Sequence, residues 1–419
     1  MNKYLVILIF IFTTISCSEQ QSSSGSKISE KGLSLEHANE FKEDIIKIAD
    51  NIYVAVGFAL ANVIMVTGEN ESLIIDTTGS EEAAKIVKKE FDKISNKPVN
   101  NIFYTHNHPD HIGGATIFAN STDANIYGQE NILYNIDNIS TIIRPIIYER
   151  SARQFGIPLN KDEIIHQGIG GFLEISAQTT TGLLRPTVTF DQNLDLNIDN
   201  IEVKLQHVPG ETDDHLYVWL PKQEAVMVGD NFYRSFANLY AIRGTKYRNP
   251  MEWVHSLDKI RALNAKYLIP SHSRPISGKE NIYNALTDYR DAIQFVHDQT
   301  VRHMNNGLLP DEIVAKINLP QHLRKSPYLQ EFYGSISSYV RSIFVGYIGW
   351  FNGNITTLHP LNAKEKAVKM MELASKQTDL KVAAEQAVEN GEYQWAMELA
   401  DSLIAIDQND QQAKNIKAK

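Results

Sequence analysis

Tyr-Thr-His-Asn-His-Pro-Asp-His-Ile-Gly-Gly, residues 104–114, is the most informative stretch of the sequence. His106, His108, Asp110 and His111 in this stretch are all side chains of the kind that bind metal ions. In an extended turn, His106 and His108 project to the same side, because side chains alternate with a period of two. Asp110 and His111 fall on the following turn and face a neighbouring point. The spacing therefore predicts a loop that two metal ions share.

The cysteine count and the net charge limit which metal ions and which partners the chain is expected to bind. Cys17 is the only cysteine, which excludes a thiolate metal site in the folded body. Imidazole and carboxylate suit Zn²⁺, and they also suit Fe and Mn. We therefore expect two Zn²⁺ ions per chain, with Fe or Mn as alternatives. The net charge of −10 argues against nucleic acid as a partner.

The chain before residue 281 predicts a mixed α/β fold. Dense β-branched runs bounded by turn residues indicate strands, and apolar residues at helical spacing indicate helices. The predicted elements are strands at 52–66, 72–76, 99–104, 198–208, 216–220, 224–228 and 267–269, and helices at 81–94 and 250–263.

From about residue 281 onward, helical periodicity replaces the strand pattern. The predicted helices lie at 288–305, 309–317, 333–346 and 363–375, with two more within 381–406. The last two are separated by Asn390-Gly391 and are spaced like a helical-repeat hairpin. One such hairpin cannot bury its own apolar face, so we expect it to pack on the body or on a partner.

The N-terminus predicts export from the cell. A short charged start precedes an apolar run of about a dozen residues, which is too short to span a bilayer as a permanent helix. The run ends at Ser16-Cys17 and polar residues follow. This junction resembles the lipobox of bacterial lipoproteins, whose cysteine is acylated. The resemblance implies lipidation of Cys17 and an anchor on the periplasmic or cell-surface side of the bacterial membrane, with an ordinary secretory signal as the alternative.

The loop at 104–114 resembles the His-x-His-x-Asp-His signature of the metallo-β-lactamase superfamily, an αββα sandwich with two metal ions at the sheet edges. Segments 208–212, 228–230 and 270–272 follow strands in the order of that family's remaining ligands. Glu211 stands where most members have a histidine, and a carboxylate at this place is typical of the alkylsulfatases, or type III sulfatases. Asp230 departs from that branch, which usually has a bridging glutamate.

Other segments resemble the same branch. Asn238-Leu-Tyr-Ala-Ile-Arg-Gly is similar to its Asn-Leu-Tyr-Thr-Leu-Arg-Gly segment, and residues 181–187 are similar to the loop before its site. Residues 288–361 resemble its dimerisation domain. The resemblance implies a homodimer and an α/β fold class, namely a metallo-β-lactamase αββα sandwich followed by an all-α dimerisation domain.

The predicted domain organisation combines these readings. Its parts are a lipoprotein signal peptide and lipobox at 1–17, a flexible tether at 18–43, the catalytic domain at 44–280, the helical dimerisation domain at 281–365 and a repeat-like helical segment at 366–419. The Ser-rich and Gln-rich composition after Cys17 is what favours a tether.

The family resemblance implies a complete set of metal ligands. They are His106, His108 and Glu211 for one ion, Asp110, His111 and His272 for the other, and Asp230 between the two ions. Two divalent ions lower the pKa of water toward about 7, so hydroxide between the ions is the expected nucleophile, with Asp110 and Asp230 as catalytic residues. His207 and His215 are rivals for the place of Glu211, and we expect them to support the site rather than bind metal.

Substrate choice is expected to depend on groups that neutralise an oxyanion. Arg243 offers a planar fork of donors suited to sulfate or phosphate, and Asn238 adds an amide donor. Arg248 and Arg274 are weaker candidates. We predict hydrolysis of a small alkyl or aryl sulfate ester to an alcohol and inorganic sulfate. The alternatives are a phosphoester, lactone or β-lactam hydrolase of the same superfamily, and a metal-binding scaffold without catalysis.

Overall fold

The structure, a computed structural model, describes residues 30–173, 179–375 and 378–418. The predicted signal peptide with Cys17 and the first part of the predicted tether lie outside these residues. None of the helices in the described ranges combines the length and hydropathy needed to cross a bilayer.

The described chain divides into two units. The first contains the residues up to Phe295 together with Leu319–Ser335, and the second contains Val296–Asn318 and the residues from Ile336 onward. The predicted domain boundary between 280 and 281 falls inside one continuous helix, Lys279–Asn305.

The strands of the first unit form two sheets. In chain order they are β1 (Asp44–Ala49), β2 (Ile52–Val56), β3 (Val63–Thr67), β4 (Ser72–Ile75), β5 (Asn101–Phe103), β6 (Asn125–Gln129), β7 (Val188–Phe190), β8 (Asn193–Ile198), β9 (Ile201–His207), β10 (Leu216–Leu220), β11 (Ala225–Gly229), β12 (Tyr267–Pro270) and β13 (Ile276–Ser277). The first sheet has the order β1-β2-β3-β4-β5-β6-β7, and the second has the order β13-β12-β11-β10-β9-β8.

Helices flank the sheets of the first unit and predominate among the described residues of the second unit. In chain order they are α1 (Glu30–His37), α2 (Glu81–Phe91), α3 (Pro109–Ile112), α4 (Ala115–Phe118), α5 (Ile132–Asp137), α6 (Arg144–Gln154), α7 (Pro250–Ala262), α8 (Lys279–Asn305), α9 (Pro310–Val314), α10 (Gln321–Arg324), α11 (Ile336–Ile348), α12 (Ala363–Ala374), α13 (Leu380–Glu389), α14 (Tyr393–Ile406) and α15 (Gln411–Ala418). A π-helical turn, Asn138–Ile142, joins α5 to α6.

The two sheets pack face to face because apolar residues alternate along their strands. Val54 of β2, Val203 of β9 and Val218 of β10 are buried in one shared core. On the other face of the first sheet, Met65 of β3 packs in a second core with Val87 of α2. Parallel strands β11 and β12 are joined through α7, as a parallel pair requires. The predicted α/β sandwich is confirmed.

Several strands differ from the sequence-based expectation. The predicted strand at 198–208 begins later, as β9, because a turn at Asp199 and Asn200 with φ of 49° and 63° joins it to the unpredicted strand β8. Asp and Asn tolerate this left-handed region better than other residues with side chains. The strand predicted at 52–66 is two strands, β2 and β3, and the pattern also missed β1, β6, β7, β8 and β13. Of these, β1 and β7 lie at the sheet edges and are only partly buried, so they lack the dense apolar signal.

Residues 30–41 are helical, although the sequence predicts a flexible tether up to residue 43. A turn of 3-10 helix, Ala38–Phe41, directly follows α1. The His37 ring stacks on Phe332 with 4.2 Å between ring centroids, and its Nε2 donates to the Gly168 carbonyl. A few aromatic contacts thus order a segment whose average composition is polar.

The second unit buries its own core. Leu380 and Ala384 of α13 pack with Leu399 and Leu403 of α14 and with Ile416 of α15. α12 also contacts this core through Met371. The hairpin of α13 and α14 was expected to need the body or a partner to cover it. In the structure, α12 and α15 supply this cover.

Candidate metal centre

The loops after β4, β5, β11 and β12 and the loop between β9 and β10 meet at a single place in the first unit. The loop at 104–114 follows β5, which is parallel to β4, and Asp76 follows β4. Asp230 and His272 follow the parallel strands β11 and β12, and Glu211 lies between β9 and β10. Carboxyl ends of parallel strands share one sheet edge, so the loops of each sheet converge.

All seven predicted metal ligands come together there. Their donor atoms form three groups, each within 4.8 Å: His106, His111 and Asp230; Asp110, His111 and His272; His108, Glu211 and Asp230. The set predicted for the second ion is one of these groups. Asp230 belongs to two of them, and its carboxylate lies 3.7 Å from His106 Nε2, 3.5 Å from His111 Nε2 and 3.2 Å from His272 Nε2.

The polar atoms at the centre of the cluster fit a cation. His111 Nε2, Glu211 Oε2, Asp230 Oδ1 and His272 Nε2 are fully buried and have no hydrogen-bond partner in the described part of the chain. Each such atom costs about 1–3 kcal/mol when it is left unpaired. His106 Nε2 and His108 Nδ1 also face each other at 2.8 Å. Ring nitrogens and carboxylate oxygens that converge in this way are the donor set of Zn²⁺ and related metals.

Asp76 supports the cluster and was not identified from the sequence. This fully buried carboxylate accepts from Ser271 Oγ at 2.6 Å and from the Thr105 amide at 2.9 Å, and it lies 2.8 Å from His111 Nδ1. A carboxylate on Nδ1 fixes the ring orientation and leaves Nε2 free as a ligand. Its place at the end of β4, beside the strand that precedes the ligand loop, was the available signal.

Backbone groups orient the other imidazoles. His272 Nδ1 lies 2.9 Å from the Leu60 carbonyl, so Nε2 faces the cluster. His215 Nε2 accepts from the Asp230 amide at 2.9 Å, and its ring stacks on His106. His207 contacts the Asp213 carbonyl away from the cluster. The structure thus places His215 behind the ligands and leaves His207 outside them.

Glu211 is held by a buried ion pair. Arg248 Nη1 donates to Glu211 Oε1 at 2.8 Å, and both side chains are 2% exposed. The same nitrogen donates to the Asn238 carbonyl. Burial raises the pKa of Glu211 to about 7, although Arg248 and Arg243 oppose this effect. Arg248, a weaker candidate from the sequence, is therefore integral to the site.

Burial and charges inside the cluster also shift the pKa values of the other predicted ligands. Burial lowers the pKa of His106 and His108 well below the usual value, so both rings are neutral and able to bind a metal. Burial opposes ionisation of Asp230, but His272 and His111 hold its pKa well below the usual value. A carboxylate that stays ionised between imidazoles is suited to bridging two cations.

A cleft opens from the cluster. It has a cavity volume of about 330 Å³. Its wall includes His108, Glu211 and Arg243, and Arg243 Nη2 lies 3.2 Å from His108 Nε2. Asn238 is buried behind this wall, and its Nδ2 has no partner among the described residues. Arg274 lies elsewhere and pairs with Asp44 at 2.9 Å. The structure thus brings Arg243 to the site and leaves Arg274 outside it.

Glycines let the ligand loop pack tightly. A Cβ on Gly113 would lie 2.3 Å from the Gly79 carbonyl oxygen, and one on Gly114 would lie 2.2 Å from the Thr77 carbonyl oxygen. Thr78 and Ser273 beside the site have positive φ angles of 66° and 67°. Such backbone conformations cluster at functional sites.

Comparison with known proteins identifies the family of the chain. Residues 56–272 match the metallo-beta-lactamase superfamily, and residues 309–419 match the alkyl sulfatase dimerisation family. The chain therefore belongs to the metallo-beta-lactamase superfamily. Within it, the chain is among the proteins that join this fold to an alkyl sulfatase dimerisation domain, as the sequence resemblance predicted.

Several of its relatives are named alkylsulfatases. The chain is 38% identical to a linear primary-alkylsulfatase of Pseudomonas sp., over 85% of this chain and 68% of that protein. It is 28% identical to an alkyl/aryl-sulfatase of Saccharomyces cerevisiae, over 89% of this chain and 59% of that protein. The solved structure of the sec-alkylsulfatase Pisa1 from Pseudomonas sp. matches with a TM-score of 0.86 and 22% identity, over 92% of this chain and 63% of that chain. At that identity the match shows the fold alone. The chain thus spans only part of each relative's length.

Proposed function

We propose that the chain is a metal-dependent hydrolase that cleaves alkyl sulfate esters to an alcohol and inorganic sulfate. The observation that carries the proposal is the meeting of the ligand cluster with Arg243 and an apolar wall in one cleft. The 38% identity to a linear primary-alkylsulfatase supports this substrate class.

The ligand cluster is proposed to hold two Zn²⁺ ions, with Fe or Mn as alternatives. Such ions would supply Lewis-acid activation of water and charge compensation for the ester. Asp230 contributes to two of the three donor groups and would bridge them. Asp76 and the Leu60 carbonyl keep the Nε2 atoms of His111 and His272 directed at the cluster.

The protein's own cations are proposed to hold the sulfate group. Arg243 is half-buried at the cleft wall and offers paired N–H donors to two sulfate oxygens. Arg248 also lines the cleft, and its Nη2 has no partner in the described ranges. Because a sulfate ester is anionic and repels hydroxide, neutralising its charge is the main catalytic requirement.

An apolar stripe is proposed to hold the alkyl chain. Ile139, Ile143 and Ile147 line the cleft at intervals of four residues. Ile139 lies in the π-helical turn Asn138–Ile142 and Ile147 lies on α6, with Ile143 between them, and together the three side chains give the cleft an apolar wall. An alkyl chain fits such a surface, whereas the cations at the inner end take the sulfate group.

A sulfate-release assay on the metal-loaded chain tests the proposal. Butyl, octyl and dodecyl sulfate are expected to release sulfate, and His108→Ala is expected to abolish the release. Arg243→Ala should lower kcat/KM by about 10- to 100-fold, the cost of a charged hydrogen bond. Arg274→Ala is the matched control, because Arg274 lies outside the cleft. Hydrolysis of a phosphoester, lactone or β-lactam without sulfate release would overturn the proposal, and metal binding without any hydrolysis would favour a scaffold.

Two further expectations complete the proposal. The match of residues 309–419 to the alkyl sulfatase dimerisation family supports a homodimer, which sedimentation of the purified chain would test. The lipobox resemblance supports export and a lipid anchor at Cys17. Labelled palmitate should follow the wild-type chain and not Cys17→Ser, and equal labelling of both would exclude the anchor.

A further inference from the structure

The mouth of the cleft carries a group of exposed apolar side chains, which we call the outer rim: Tyr134, Ile142, Ile146, Ile242 and Tyr247. They are 61%, 68%, 50%, 59% and 44% exposed, respectively. Single exposed apolar residues are ordinary, but a group of large ones around a cleft marks an interaction surface.

The outer rim is continuous with the inside of the cleft. Ile142 and Ile146 each precede a residue of the inner stripe, Ile143 or Ile147. Each of these pairs is adjacent in the chain, so the outer rim continues directly from residues that line the cleft. α6 has no buried residue at all. Its apolar side chains therefore contribute to an external surface rather than to the core.

Contacts join the separate segments of the rim. Arg150 on α6 donates to the Ile242 carbonyl at 2.6 Å. The Lys246 ammonium lies 4.6 Å from the centre of the Tyr134 ring. The rim is thus one surface built from α5, α6 and the loop at 242–247.

Basic side chains are interspersed with the apolar ones. Arg144 and Arg150 are exposed around the rim, and Lys246 is exposed but also pairs with Asp213 at 3.3 Å. The whole chain has a net charge of −10. Apolar side chains that penetrate a lipid-like layer, flanked by cations that contact anionic head groups, are typical of interfacial binding surfaces.

We propose that the outer rim docks on the surface of an assembly of anionic amphiphiles, such as a micelle or an anionic bilayer. The proposal rests on the proposed function in one respect, since an alkyl sulfate is itself such an amphiphile. A molecule that leaves the assembly along the inner stripe reaches Arg243 with its chain still in apolar contact. The rim thereby determines access by substrates that are aggregated.

A tryptophan reporter tests the docking in the full chain. Ile142→Trp places an indole on the rim, and Ile86→Trp places one on α2, where Ile86 is 53% exposed. With phosphatidylglycerol vesicles, the emission of the Ile142→Trp chain, after subtraction of the wild-type spectrum, should shift to the blue and be quenched by brominated lipid. The Ile86→Trp chain should show neither effect. A lipid anchor at Cys17 would hold both chains on the vesicle, but it would not bury residue 142.

Charge and partner controls complete the test. Arg144→Gln in the Ile142→Trp chain should raise the lipid concentration at half-shift by about fivefold. A shift that appears without vesicles and grows with protein concentration would overturn the proposal in favour of a second copy of the chain. Equal shifts at both reporter positions, or none at residue 142, would also overturn it. Sulfate release from butyl sulfate, which does not aggregate, tests the proposed function independently of these outcomes.

Discussion

Replacing Arg248 by methionine tests whether the buried ion pair with Glu211 supports the site. Both side chains are 2% exposed, and the distance between Nη1 and Oε1 is 2.8 Å. Methionine approximates the length of the arginine stem but removes the charge, so Glu211 would remain buried without its partner. Breaking a buried pair in this way costs about 3–5 kcal/mol of folding free energy.

Urea unfolding of the first unit, followed in a metal chelator, measures this cost without a contribution from bound ions. With a slope of about 3 kcal/mol per molar urea, the midpoint should fall by about 1–2 M. The matched control is Arg185→Met. Arg185 pairs with Asp137 at 2.7 Å, but both side chains are 52% exposed. Water screens an exposed pair, so this midpoint should barely move.

The double variant Glu211→Gln with Arg248→Met separates the ion pair from packing. Because it removes both charges, it should recover a large part of the stability that Arg248→Met alone loses. A midpoint for Arg248→Met equal to that of Arg185→Met would refute the reasoning. The reasoning would also be refuted if the double variant lost as much stability as Arg248→Met and Glu211→Gln, measured singly, lose together.

Two other perturbations have defined outcomes. Asp76→Asn should weaken zinc binding by about 10- to 100-fold, because the His111 ring loses its ionic partner; competition with a chromogenic chelator measures this, and the turn variant Asp199→Asn, with unchanged affinity, is the control. Burial lowers the pKa of His37, and it lowers that of His166 from 6.5 to about 4. Below pH 6.5 the unfolded chain therefore binds protons before the folded chain does, and stability should fall as the pH decreases from 6.5 toward 4. His166→Gln should flatten this decline in the urea midpoint, and an unchanged pH profile would contradict the assignment.

Site residues could be predicted from the sequence where metal-binding side chains crowd together or directly follow a predicted strand. The ligand loop could be recognised because its histidines and Asp110 crowd into one short turn. Glu211, Asp230 and His272 followed from their places after strands, and the structure brings them to the same cluster. The residue type at each predicted ligand position can be read from a short stretch of sequence, which is why a family resemblance could indicate it.

Supporting contacts were harder to predict because they join distant parts of the chain. Asp76 contacts Ser271, which lies 195 residues away. His37 contacts the carbonyl of Gly168 and orders a segment that composition alone makes polar. Neither contact leaves a periodic pattern. They depend on which loops the two sheets bring together, so only the folded chain reveals them.

The pairing of Glu211 with Arg248 also explains how a carboxylate can replace a histidine at this site. The exchange adds one negative charge to the ligand set, which would weaken the attraction of the site for an anionic ester. Arg248 returns one positive charge at 2.8 Å from that carboxylate. At an effective dielectric constant of about 20, two unit charges 4 Å apart interact with an energy of about 4 kcal/mol. The positive charge of Arg248 can therefore offset the added carboxylate to an extent that matters for substrate binding. On this reasoning Glu211 and Arg248 form one functional unit, and a variant that restores histidine at 211 should need Arg248 replaced by a neutral residue to keep its stability.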